Sequence, residues 1–139
     1  MIRFLFGIPE NPRSTDLGLM ILRVVAGLAL AFLHGFGKIP PTEQFLGMVS
    51  AIGVPAPVLM AWLAGLAEFA GGLLIAIGLF TRPAALVLIV HFLVVVLVAH
   101  APDPIATREP ALLFLSIGVL LLLAGPGQFS FDAVLKRNR

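Results

Sequence analysis

Four stretches of this chain, at about residues 17–37, 58–80, 83–100 and 110–125, are apolar for long enough to cross a bilayer as helices. Each is bounded by helix-starting or helix-stopping chemistry. Ser14 or Thr15 can cap the first, with Asp16 in its first turn, where a negative charge suits the helix dipole. Thr81, Arg82 and Pro83 divide the second from the third, which predicts a tight hairpin with Thr81 as N-cap and the proline in the first turn. Pro102, Asp103 and Pro104 break the third, Pro110 suits the first turn of the fourth, and Gly125, Pro126 and Gly127 end it. Between the first two spans, prolines bracket a short helix at about 43–52 that Thr42 can cap. Its Phe45, Met48, Val49 and Ile52 make one apolar face, so the helix is expected to lie on the membrane surface. A short tail after Ser130, its cap, finishes the chain.

Polar positions inside these spans are few, and they set the chemical problem. Glu68 falls in the middle of the second span, where a carboxylate is costly unless it gains a proton or a cation. Ala61, Ala64, Gly65, Gly71 and Gly72 share its side of the helix, a small-residue stripe that admits another backbone or a second copy of the chain. Arg23 and His34 are eleven positions apart, so on a straight helix they differ by only about 20° and share a face that ends at Lys38. Along the helix axes Arg23 lies roughly 10 Å, His91 roughly 12 Å and Glu68 about 18 Å from the same membrane surface. An Arg23–Glu68 pair is therefore expected, with His91 as a third member of a buried polar layer. That pair either fixes helix register or handles a proton or ligand. His34, Lys38, His100 and Glu109, with Arg108, form a second group at the opposite mouth, placed to bind a quinone headgroup or an anion, or to be wet helix ends.

Composition supports the membrane reading. Of 139 residues, 60% are hydrophobic and 12% charged, and the mean hydropathy is +1.09, far above soluble domains of this size. Arg3, Arg13, Arg82, Lys136, Arg137 and Arg139 fall on one side and only Lys38 and Arg108 on the other, which places both termini in the cytoplasm. Such end-of-span cations are topology determinants, not a nucleic-acid stripe. Phe4, Leu5, Phe6 and Ile8 read as an interfacial arm ahead of the first span, not as a signal peptide. With no cysteine, dithiol exchange and iron–sulfur ligation by this chain alone are excluded, and no metal site is expected. His91 and His100 are nine residues apart and cannot point at the same interior line, and bis-histidine haem ligation is disfavoured because it requires two facing histidines on adjacent helices and no attachment motif is present.

Several motifs in order carry a resemblance: Arg23 early in the first span, His34-Gly35-Phe36-Gly37-Lys38 at its end, Glu68-Phe69-Ala70-Gly71-Gly72, and Gly78-Leu79-Phe80-Thr81-Arg82. Glu109-Pro110 and the run from Gly125 to Asp132 complete the set. The chain resembles the DoxX family of small bacterial and archaeal membrane proteins over about residues 16–133. The resemblance implies an all-α four-helix bundle in the plasma membrane, and it singles out Arg23, His34, Lys38, Glu68, Arg82 and Glu109. Among relatives it implies a subunit of a thiosulfate:quinone oxidoreductase and a component associated with oxidative-stress enzymes. The expectation is a quinone-linked subunit of a redox complex without chemistry of its own, with lipid, other redox subunits or a second copy as partners. A scaffolding subunit and a minimal ion pathway around Glu68 are the alternatives.

Overall fold

A computed structural model describes residues 12–138. The expected interfacial arm of Phe4, Leu5, Phe6 and Ile8 lies outside the described residues, as do Arg3 and Arg139. Among the described residues there is no strand, and the helices are α1 (Pro12–Ala29), α2 (Glu43–Ala51), α3 (Pro57–Ile77), α4 (Thr81–Val94), α5 (Ile105–Ala124) and α6 (Phe131–Arg137). A wide π-helical turn, Leu30–Gly35, and a tight 3₁₀ turn, Phe36–Lys38, prolong α1, and a second π-turn, Val95–Ala99, prolongs α4. With these extensions four helices are long and apolar enough to cross a membrane: Arg13–Lys38, Pro57–Ile77, Thr81–Ala99 and Ile105–Ala124.

Apolar side chains cover the outside of the bundle as well as its core; Leu33, Ile105 and Leu123 are 79%, 70% and 73% exposed. Lipid, not water, must meet that surface. Since lipid removes the usual hydrophobic drive between helices, close backbone approach has to supply the packing. Gly27, Ala31 and Gly35, spaced four apart on the first span, meet α3 at Gly72, Ala76, Phe69 and Glu68. The predicted stripe on α3 divides between two neighbours within the chain: Gly72 faces Gly27 and Ala31, whereas Gly71 faces Leu88 of α4. The order of packing is α1 on α3, α3 on α4 and α4 on α5, with α2 laid against α3. The inner apolar cluster includes Leu30, Ile75, Ala85, Leu88, Phe92 and Leu121.

Local chemistry fixes most of the boundaries. Thr42 caps α2 by accepting from the Phe45 amide at 3.2 Å, and Ser130 caps α6 by accepting from Ala133 at 3.2 Å, both as expected. Three expectations need correction. The first helix begins at Pro12, before Ser14 and Thr15, and Asp16 instead accepts from the Gln128 amide at 3.2 Å. The fourth span begins at Ile105, after an extended Pro104, so Pro110 falls inside α5 and not in its first turn. The cap of α4 is not Thr81, which is buried within the helix; Phe80 holds the capping position at φ +48° and the capping carboxylate comes from Asp132.

Candidate functional site

Glu68 lies about 16 Å along α3 from its Pro57 end and is 3% exposed. Its carboxylate is gripped on both sides: Lys38 Nζ is 2.5 Å from Oε2, and His91 Nε2 is 3.0 Å from Oε1. Because an ionised carboxylate only accepts, Lys38 donates to it and the His91 tautomer with a proton on Nε2 completes the pair. Lys38 reaches the bundle centre because the chain after the first span folds back over α3. A Cβ at Gly65 would lie 3.0 Å from the Lys38 carbonyl oxygen and 2.9 Å from Ile39 Cγ1, so only glycine leaves the chain that passage. The lysine stem then points inward while its side chain stays 29% exposed, with Nζ 5.4 Å from the centroid of the Phe45 ring of α2.

The His91 ring continues into an aromatic stack. It meets Phe92 edge-on at 4.9 Å, Phe92 stacks on Phe114 of α5 at 5.4 Å with 15° between the planes, and His34 meets Phe114 edge-on at 5.4 Å. On its other side Phe114 lines a lipid-facing groove of about 470 Å³ between α1 and α5, with Leu22, Val25, Ala26, Pro110, Leu113, Ile117 and one carboxylate, Glu109.

Arg23 does not pair with Glu68. Its guanidinium is 1% exposed and donates through one terminal nitrogen to the carbonyls of Ile75 (3.2 Å) and Ala76 (3.5 Å), and through the other to that of Phe129 (2.6 Å). Ile75 and Ala76 belong to the last turn of α3; the Ile75 carbonyl also accepts from the Gly78 amide at 3.1 Å, so the arginine adds a second donor there, supplies the donor for Ala76 and meets the negative end of the helix dipole. Across the hairpin Asp132 does the complementary work. Its two oxygens accept from the Phe80 and Thr81 amides, each at 2.9 Å, at the positive start of α4, while its own amide donates to Gly78 O at 2.9 Å. Among the described residues Arg23 Nε and Thr81 Oγ1 are buried without a hydrogen-bond partner.

The separation of Arg23 from Glu68 is one of depth: the carbonyls that Arg23 binds lie seven and eight residues beyond Glu68 on α3, about 10–12 Å along the helix. What the π-turn changes is the position of His34 relative to Arg23. Such a turn takes up one extra residue, which rotates everything beyond it by about 100° relative to a straight helix. His34 is therefore exposed on a different side from the buried Arg23. The remaining members of the expected mouth are likewise committed to separate partners: Lys38 to Glu68, His100 to Asp103 (Nδ1–Oδ2 2.6 Å) and Glu109 to the groove. Arg108 donates to the carbonyls of Asp103 (2.9 Å) and Ala101, which ties the loop between α4 and α5 to α5. Asp103 was legible as a partner, three residues past His100 in a proline-bounded turn; Phe92, Phe114 and Asp132 carry no local signal for the roles they take.

This arrangement defines a polytopic helical membrane protein with a clamped carboxylate at its centre and a lipid-facing groove. The sequence profile of the DoxX family matches residues 18–101, more than half of the chain, and the chain belongs to that family. It is similar to two inner membrane proteins of Escherichia coli (strain K12): YqjF, 34% identical over 88% of this chain and 95% of that one, and YphA, 28% identical over 82% and 88%. It is also 34% identical to CatD of Bacillus subtilis (strain 168), which carries a provisional oxidoreductase name, over half of each chain. No solved structure gives a significant match.

Proposed function

We propose that this chain is a membrane subunit of a redox complex that holds a quinone in the groove between α1 and α5, the electron transfer being performed by a partner. The groove carries the reading. Its volume, about 470 Å³, falls in the range of small-molecule sites, and its lining is apolar except for one carboxylate, Glu109. A slot open to lipid along its length suits an isoprenoid tail, and a headgroup with carbonyl or hydroxyl oxygens needs a donor and an acceptor. Glu109 offers an acceptor within the groove, and His34, against the groove wall at Phe114, offers a donor. Without cysteine the chain has no thiol route for electrons, so redox chemistry here needs a cofactor or a partner, and we assign it to a partner. The oxidoreductase name of CatD is consistent with this reading. Both termini are read as cytoplasmic, because Arg13, Arg82, Lys136 and Arg137 share one end of the bundle.

Solvent extraction of the purified protein followed by mass spectrometry tests the proposal. Near-stoichiometric quinone is expected in the wild type, falling at least tenfold in Glu109→Leu and in His34→Ala. Wild-type protein purified from quinone-containing membranes without any quinone overturns it.

A further inference from the structure

The clamp on Glu68 has an asymmetry that a simple helix-locking ion pair does not need. Toward the Lys38 end the path is polar, from the Lys38 ammonium, on a side chain that is 29% exposed, to the carboxylate to the imidazole. Toward the other end it is closed by Leu30, Ile75, Ala85, Leu88 and Leu121, all nearly or fully buried. The innermost group, His91, commits Nε2 to Glu68, while Nδ1 has no hydrogen-bond partner among the described residues and the side chain is 12% exposed at mid-bundle depth. Among the described residues no other charged group joins this line: Arg23 binds the carbonyls at the far end of α3, His100 binds Asp103, and His34 meets Phe114.

We propose that Lys38, Glu68 and His91 form a one-ended proton relay between the water at the Lys38 end and a membrane-soluble weak acid, such as a hydroquinone, that reaches His91 from within the bilayer. A proton entering at His91 Nδ1 drives the Nε2 proton along the 3.0 Å bond to Glu68 Oε1. Lys38 releases a proton to water from its exposed end, and the resulting amine takes the proton of the carboxylic acid once the acid has turned it toward Oε2. Exchange of the imidazole between its tautomers restores the starting state. One proton enters at His91, one leaves at Lys38, and no electron moves. The relay requires no ligand in the groove between α1 and α5, so it stands or falls separately from quinone retention there.

Arginine distinguishes a relay from a lock: Lys38→Arg keeps the charge and the ion pair, but a guanidinium does not give up its proton near neutral pH. Since the chain holds three histidines, ¹⁵N-histidine NMR in lipid nanodiscs resolves each ring. Solvent exchange of the His91 ring N–H is expected to be fast in the wild type. It should slow at least tenfold in both Lys38→Arg and Glu68→Gln, with His34 and His100 unchanged as internal controls. Wild-type exchange at His91 as slow as that of buried backbone amides, or exchange unaltered in Lys38→Arg, overturns the proposal. If Lys38→Arg lowers the melting temperature, the Glu68→Gln exchange rate decides alone, slow exchange supporting the relay and unchanged exchange refuting it.

Discussion

Replacing Gly27 with alanine puts the seam between α1 and α3 to a quantitative test. A Cβ there would lie 2.5 Å from Gly72 O, 2.7 Å from Ala76 N and 2.9 Å from Ala76 Cα. All three atoms belong to the backbone of a helix, so no rotamer change relieves them. Ordinary contact begins at 3.4 Å, so the helices must part by about 0.9 Å, which is 3.4 − 2.5. A radial gap of about that size forfeits a quarter to a half of the dispersion energy of each contact it opens, and overpacking of this kind costs about 1–3 kcal/mol. Alanine returns about 1 kcal/mol of helix propensity. Gly47→Ala in α2 isolates that gain, because a Cβ there meets no atom within 4 Å. Gly27→Ala should therefore melt at or below the wild type in mild detergent and Gly47→Ala above it, the two variants differing by the overpacking cost of about 1–3 kcal/mol. A Gly27→Ala protein as stable as Gly47→Ala would refute the close-packed seam.

Other outcomes follow from the charges. Lys38→Met leaves Glu68 buried without its cation and should cost about 3–5 kcal/mol; the double variant Lys38→Met, Glu68→Gln should recover most of the loss, which a double-mutant cycle on detergent melts would measure. Arg23→Ala uncovers the carbonyls of Ala76 and Phe129 and takes one of two donors from that of Ile75, and should cost about 3 kcal/mol; protease sensitivity should appear at 125–130, with the Glu68 clamp intact by the His91 ring signal. Asp132→Ala removes both caps of α4 and should cost about 1–2 kcal/mol, visible as faster amide exchange at Phe80 and Thr81.

The four spans were legible because what defines them is local, hydropathy with bounding prolines and glycines, and so were the two short helices, through their caps at Thr42 and Ser130. So was the anomaly of Glu68. What could not be read was which cation answers it: Arg23 lies at the depth of the last turn of α3, and Lys38 comes in where the chain passes over Gly65. Nor could the phase of His34 be read. A straight helix puts His34 in register with Arg23, but the π-turn at Leu30–Gly35 and the 3₁₀ turn at Phe36–Lys38 change the rotation by an amount no local residue pattern marks. The start of α5 failed for another reason: Pro110 suits a first-turn position by residue type, but the helix already starts behind Pro104 at its N-cap, and Pro110 lies inside it.

Exchanging the expected partners also changes what each charge means. Arg23 and Asp132 lie on opposite sides of one hairpin, the cation on the last carbonyls of α3 and the carboxylate on the first amides of α4. Each satisfies backbone groups that a helix end leaves bare, and together they place opposite charges on opposite dipole ends. In a bilayer, where a bare backbone group costs several kcal/mol, that is sufficient reason for a buried arginine, and no ligand has to be invoked for it. Glu68 has no such reason. It is in mid-helix, where α3 has no unpaired amides to offer it, and it needs both Lys38 and His91 to be tolerated there. The glycine seam supplies the close approach of α1 to α3 without it. Arg23 therefore belongs to the architecture of the bundle, and Glu68 is the charge for which the proposed relay supplies a reason.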